Sequence, residues 1–245
     1  MRSRDNALRF GEAAGAYELG RPEYPDAAID WMIAHLNTSP RLPDIVDVGA
    51  GTGKLTRALE RRAGEIFAVE PDASMRESLT GNVPRAHVFA GSAESIPLED
   101  DSADLVTFGQ AWHWVDPPAA SAEVARILRP GGRLGLIWNQ RDTRVDFVSR
   151  LGRIIESESE DYDTVHPPIA EPLEELDHAE FEWQHPMDEA RLIAMVASRS
   201  YVIARSPKDR EELLERVREL VATHPDLVGR SEFQMPYVTF ATIAG

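Results

Sequence analysis

The chain has no cysteine among its 245 residues, which excludes disulfides, thiolate metal sites and a cysteine nucleophile. No apolar run approaches membrane-spanning length, and Met1 to Phe10 lacks the apolar core of a secretion signal. A cytoplasmic location without membrane attachment is therefore expected. Basic residues are scarce, with 26 lysines and arginines against 42 aspartates and glutamates, a net charge of −16. Such a surface repels phosphate backbones, so nucleic acid is not an expected partner, and the acidity reads as solubility. No internal repeat or low-complexity linker divides the chain. Its length suits one large α/β domain.

What is present is organised around Ile45-Val46-Asp47-Val48-Gly49-Ala50-Gly51-Thr52-Gly53-Lys54-Leu55-Thr56. Apolar and β-branched residues run into three glycines at alternate positions, and Leu55 and Leu59 then share one helical face. This is a buried strand, a turn with no Cβ obstruction, and a helix N-terminus with free N–H groups. Such a turn suits a nucleotide-like cofactor that must approach the main chain closely.

Around it, strands and helices alternate. Asp26 is read as the N-cap of a helix carrying Ile29, Met32, Ile33 and Leu36 on one side. Strands are expected at Asp44–Val48, Glu65–Val69, Ala86–Ala90, Asp104–Gly109 and Arg133–Trp138. Asp116-Pro117-Pro118 opens a helix that Arg129-Pro130-Gly131-Gly132 stops. Glu156 to Asp161 is an acidic run, read as a solvated surface. Later, Phe181, Trp183 and His185 alternate along a half-exposed strand, and helices follow Asp188 and the Ser206–Asp209 capping box. Pro236–Ile243 is a final strand, paired with the preceding one at the edge of the sheet. The fold class expected is α/β: a Rossmann-like doubly wound sheet of seven strands, mostly parallel with an antiparallel C-terminal edge strand, and helices on both faces. Within one domain spanning 1–245, residues 1–43 form a lid and helix, 44–142 the cofactor core, and 143–245 a substrate-side insertion with the final strands.

Three cofactor patterns compete for the glycine turn. A Walker A loop fails at two positions, because Leu55 follows Gly53-Lys54 and Val48 stands where the first glycine belongs. A dinucleotide fingerprint matches Gly49 and Gly51 but meets Lys54 at its third glycine, leaving NAD a weak runner-up. The third pattern is Asp47-Val48-Gly49-Ala50-Gly51-Thr52-Gly53, then Glu70-Pro71-Asp72, then Gly91-Ser92-Ala93-Glu94-Ser95-Ile96-Pro97-Leu98, then Asp104-Leu105-Val106 and Leu128-Arg129-Pro130-Gly131-Gly132. In this order, over residues 12 to 142, the chain resembles the class I S-adenosylmethionine-dependent methyltransferases. Gln110-Ala111-Trp112-His113-Trp114-Val115-Asp116 looks like the type 11 subgroup, which contains many small-molecule methyltransferases.

The resemblance implies a site. Gly49, Gly51 and Gly53 let the backbone approach the methionine and ribose parts of S-adenosylmethionine, and Glu70 accepts from the ribose hydroxyls. Asp47 interacts with the methionine ammonium directly or through water. Ala93 offers its N–H to adenine while Met75 packs on the ring, and Ala50, Pro71, Glu94 and Gln110 complete the set. Position 92 departs from the pattern. Ser92 stands where related chains commonly carry aspartate, which weakens acceptance from the adenine amino group.

Moving a methyl needs an acceptor held in line with an activated carbon–sulfur bond, with a base only if the acceptor must lose a proton. No metal is expected, because no sequence cluster has ligand spacing. Trp112 and Trp114 leave the fourth strand, on one side by alternation, and are candidates for lining the acceptor pocket. His113 is a candidate general base, against a loop-ordering role. Tyr17, Arg21 and Tyr24 form a candidate lid, or alternatively a tether, and Arg199, Ser200 and Tyr201 a candidate acceptor face. The function expected is methyl transfer to an oxygen or nitrogen of a small molecule. The alternatives are a non-catalytic cofactor-binding module and an NAD-dependent oxidoreductase.

Overall fold

The apolar runs pair into one seven-stranded sheet in the computed structural model, which describes residues 20–36, 41–155 and 166–245. Strands β1 (Ile45–Val48), β2 (Ile66–Val69), β3 (His87–Phe89), β4 (Ala103–Gly109) and β5 (Leu128–Arg141) pair in parallel. Strands β6 (Glu175–Met187) and β7 (Phe233–Ala244) complete the order β3-β2-β1-β4-β5-β7-β6. Strand β7 runs opposite to the other described strands, and it sits one place inside the edge, between β5 and β6. The order reverses between β1 and β4, which opens a crevice at the C-terminal ends of those strands.

Alternation along the central strands explains why both faces are covered. Ile45, Leu105 and Ile137 meet Ile29 and Met32 of helix α1 (Asp26–Ala34) and Leu59 of helix α2 (Lys54–Glu60). On the opposite face Val46, Val106, Phe108 and Leu134 pack with Val124 and Ile127 of helix α4 (Pro117–Ile127). Helix α3 (Ala73–Asn82) seats Leu79 and Val83 on Ala68. The Asp72 carboxylate caps α3 by accepting from Ser74 and Met75, and Asp116 caps α4 by accepting from Ala119.

Three local expectations change. Pro25, not Asp26, is the N-cap of α1, and the Asp26 carboxylate pairs instead with Arg62. Helix α4 ends at Ile127, just before Arg129 as expected, but β5 begins at Leu128 rather than at Arg133. The stretch from Arg129 to Gly132 loops out between the Ala103–Leu128 and Leu105–Arg133 pairs, and Arg129 binds Asp44 and Asp104. Trp112–Trp114 forms a 3-10 turn rather than an extended continuation of β4.

The last third builds a cap. Helices α5 (Asp146–Ile154), α6 (Glu189–Ala197), α7 (Ser200–Ile203) and α8 (Pro207–Thr223) enclose a separate core that includes Phe147, Leu151, Leu192, Met195 and Val217. As the sequence suggests, Asp188 caps α6 and Ser206 caps α8. Strand β7 pairs with β5 only from Tyr237 onward, so Phe233 to Pro236 and their β6 partners extend past the end of β5. That ribbon carries the cap above the C-terminal edge of the sheet, beside the crevice.

Candidate active site

The glycine turn is held in a conformation that side chains resist. Gly49, Gly51 and Gly53 have φ of 68°, 58° and 91°, all left-handed. Their surroundings differ. A Cβ on Gly49 would lie 2.7 Å from that of Ala111, and one on Gly53 would lie 2.4 Å from Leu79 Cδ1. These two glycines therefore permit packing of the turn on its neighbours. A Cβ on Gly51 would meet nothing within 4 Å. Only Gly51 presents bare backbone to open space, a narrower role for the triplet than its spacing suggests.

The backbone donors of the turn are engaged internally. The N–H groups of Gly49 and Ala50 donate to the Val69 carbonyl, and Gly53 donates to Ala50. Gly51 N–H donates to Glu70 Oε2 at 2.8 Å, while Glu70 Oε1 accepts from Asp72 N–H at 2.9 Å. The turn thus offers space and a carboxylate rather than free donors. Burial raises the pKa of Glu70, an effect its two backbone hydrogen bonds oppose. Each carboxylate oxygen accepts one backbone hydrogen bond and keeps capacity to accept another.

Asp47 is fully buried. Thr56 donates to its Oδ2 at 2.6 Å and Thr107 to its Oδ1 at 3.3 Å, so the side chain ties β1 to α2 and β4. Burial pushes its pKa up to about 7, against those hydroxyl bonds. A cleft beside it is lined by Tyr24, Asp47, Gly49, Ala50, Lys54, Leu55 and Gly109.

The segment from Arg21 to Pro25 crosses this cleft. Glu23 accepts from Lys54 Nζ at 3.3 Å and Arg57 Nη2 at 2.7 Å, and its carbonyl accepts from Asn139 Nδ2 at 3.0 Å. The Tyr24 hydroxyl stands 2.6 Å from where a Cβ on Gly109 would lie. Tyr17, named with them as a lid residue, lies outside the described residues. Gln110 follows β4 with φ of 58° and donates from Nε2 to the Asn139 carbonyl at 2.9 Å. A left-handed non-glycine residue is strained, and this strain sits at the crevice.

The remaining candidates divide. Met75 is buried under the Asp72 cap, and Pro71 is exposed, its carbonyl accepting from Arg76. Ser92 and Ser95 bond each other through their backbones, which folds Ala93 into the core. Glu94 accepts from Asp116 N–H at the start of α4, so its carboxylate does not substitute for the aspartate missing at position 92. Because Trp112–Trp114 is a 3-10 turn, strand alternation does not apply. Trp112 is 1% exposed, packs edge-on against Phe108 and donates from Nε1 to the Pro168 carbonyl. It belongs to the core, while Trp114 and His113 are half-buried with ring centroids 4.7 Å apart.

Arg199 and Tyr201 follow α6 in the cap, where the sequence placed an acceptor face. With them stands Arg141, the last residue of β5, which sequence reasoning missed. A charged residue closing a buried strand was the available signal. Asn139 and Glu23 were also missed, because their contact is between segments distant in sequence. The structure also gathers His166, Glu175 and His178, with ligand atoms within 4.8 Å of one another, although no sequence spacing announces a metal cluster. Glu175 pairs opposite Ala244, at the sheet end away from the crevice. Among the described residues no helix is long and apolar enough to cross a membrane.

Comparison with known proteins adds the following. A family model described as "Methyltransferase domain" matches residues 46–136. An uncharacterized methyltransferase of Mycobacterium tuberculosis is 47% identical over 238 residues, covering 96% of this chain and 95% of that protein. An uncharacterized methyltransferase-like protein of Schizosaccharomyces pombe is 32% identical over 236 residues, covering 92% and 90%. The solved structure of a putative type II methyltransferase from Anaeromyxobacter dehalogenans superposes with a TM-score of 0.70 at 23% identity, covering 92% of this chain and 97% of that one.

Proposed function

The chain belongs to the class I S-adenosylmethionine-dependent methyltransferase family, and from that premise we propose that it methylates an oxygen or nitrogen of a small molecule. When bound, S-adenosylmethionine supplies a methyl already activated on a sulfonium. The observation that carries the cofactor reading is the open space before Gly51 with the Glu70 carboxylate beside it. The left-handed backbone at Gly51 admits a ligand where any side chain would stand, and the Glu70 lone pairs accept from a diol. Both lie at the switch point of the sheet, the crevice such folds use.

Around that cradle each part has a task. Asp47 stiffens the turn from beneath through Thr56 and Thr107. Arg21 and Tyr24 cover the cleft, held down through Glu23, and water is thereby kept from the reacting groups. Met75, Ala93 and Gln110 flank the turn, and Trp114 with His113 borders the acceptor side. His113 takes the acceptor proton where the acceptor has one to lose.

Calorimetry of the full chain with S-adenosylmethionine, S-adenosylhomocysteine and NAD tests this reading. Both sulfur ligands are expected to bind, Glu70→Ala to weaken them at least tenfold, and NAD to give no heat. NAD binding, or equal affinity of the Glu70→Ala variant, sinks the cofactor assignment. For the base, His113→Ala is expected to lower turnover most above neutrality, where the parent's imidazole is unprotonated, and to abolish the parent's loss of activity in acid. An unchanged pH profile removes His113 from the chemistry.

A further inference from the structure

We propose that the methyl acceptor is a small organic anion whose carboxylate or phosphate docks against Arg141, between the end of β5 and the cap. This role as an acceptor subsite rests on the methyltransferase reading; the anion site itself does not. Arg141 closes β5 at the same sheet edge as Asn139, whose side chain holds Glu23 over the cleft. Its side chain makes one hydrogen bond among the described residues, a weak one from Nη1 to the Met195 sulfur at 3.5 Å, and its Nε is buried with no acceptor. Arg199 Nη2 reaches the same sulfur at 3.9 Å. The Tyr201 hydroxyl is also buried there without a hydrogen-bond partner. No described carboxylate pairs with Arg141, since its neighbour Asp142 is taken by Arg144 at 2.7 Å.

A guanidinium presents five donors in a planar fork, and a thioether satisfies almost none of that capacity. Burial, with the positive charge of Arg199 next, pushes the Arg141 pKa down to about 10, which leaves it charged at neutral pH. The Arg21 charge acts in the same direction, so three arginines converge on one place in a chain of net charge −16. The buried Arg141 charge has no carboxylate among the described residues, which is unfavourable until an anion supplies a counter-charge. An oxyanion bound there by the Arg141 fork and the Tyr201 hydroxyl satisfies both orphaned groups at once. Met195, Tyr237 and the Trp183 ring stacked on Tyr237 at 5.4 Å give the neighbourhood an apolar, aromatic character. A flat acid matches it better than a highly hydroxylated one.

The test is calorimetric titration of the full chain, with and without saturating S-adenosylhomocysteine, using benzoate, phenyl phosphate and the neutral analogue benzamide. At least one anion is expected to bind tenfold or more tighter than benzamide. That preference should disappear in Arg141→Gln and fall severalfold in Tyr201→Phe, with S-adenosylhomocysteine binding unchanged in both. The better anion tells a carboxylate site from a phosphate site. Equal binding of anions and benzamide, no binding of either anion, or full binding by Arg141→Gln each overturn the proposal. A chain that binds the anions but not S-adenosylhomocysteine overturns the methyltransferase reading instead and leaves the anion site standing.

Discussion

The glycine turn and the cap face each other across one crevice, yet they are built on opposite terms. At the turn the polar groups saturate one another: Glu70 holds two backbone N–H groups and Asp47 two hydroxyls. Between the end of β5 and the cap, Arg141 and Tyr201 bury polar atoms that nothing in the described chain accepts or donates to. The first arrangement is preorganised, and a ligand adds to it without repairing anything. The second is incomplete without a ligand, because buried unpaired donors are costly. One half of the crevice is thus finished for a donor common to many proteins. The other keeps its unsatisfied groups for the acceptor.

The sharpest way to break this contrast is at the glycines. Gly53→Val combines a left-handed φ with a Cβ that would run into Leu79, and is expected to cost about 4 kcal/mol or more in urea unfolding. Gly51→Ala has the same strain but open space, so it should cost only about 1 kcal/mol while lowering cofactor affinity at least tenfold. Equal stability loss at both positions would erase the distinction between packing glycine and cradle glycine.

In the cap, Leu192→Ala leaves a cavity in a fully buried site and should cost about 3 kcal/mol. Because the cap core is separate from the cores on the sheet, S-adenosylhomocysteine affinity should hold while turnover drops. Matching losses of cofactor affinity and turnover would mean that the halves do not act separately.

Asp47 gives a pH test of the saturated half. The unfolded chain releases this proton near pH ~4, whereas the folded chain keeps it until about pH 7. The folded state therefore binds more protons in that window, and this residue's contribution to stability falls as pH rises through it. Asp47→Asn removes the penalty. The variant should gain about 2 to 3 kcal/mol relative to the parent between pH 5 and pH 8. Parallel stability curves would show that the carboxylate is ionised in place.

The smallest effect belongs to Trp112→Phe, which deletes the hydrogen bond to the Pro168 carbonyl and should cost about 1 kcal/mol with turnover unchanged. A larger loss of turnover than of stability would return Trp112 to the acceptor site.

Legibility in the sequence followed local pattern. Glu70 reaches Gly51 across 19 residues, and strand and turn signals place that carboxylate beside the glycines, whereas the Thr56 bond to Asp47 carries no sequence signal. The alternation of Phe181, Trp183 and His185 likewise marked β6 correctly. Strand alternation did not place Trp112 correctly, because a strand pattern cannot announce that the chain turns into a 3-10 helix. Arg141 was missed because its meaning comes from Met195, 54 residues away, and from a cap that no local pattern describes.

By itself the sequence determined the doubly wound sheet, the glycine turn and the acidic residue beside it, since each depends on periodicity or on backbone freedom within a short stretch. Only the tertiary structure decided which glycine faces open space and that β7 inserts inside the edge. It also decided that the arginines of a strand end and a distant helix end converge beside the crevice. Burial and unpaired charge are properties of what surrounds a residue, and the surroundings exist only once the chain has closed on itself.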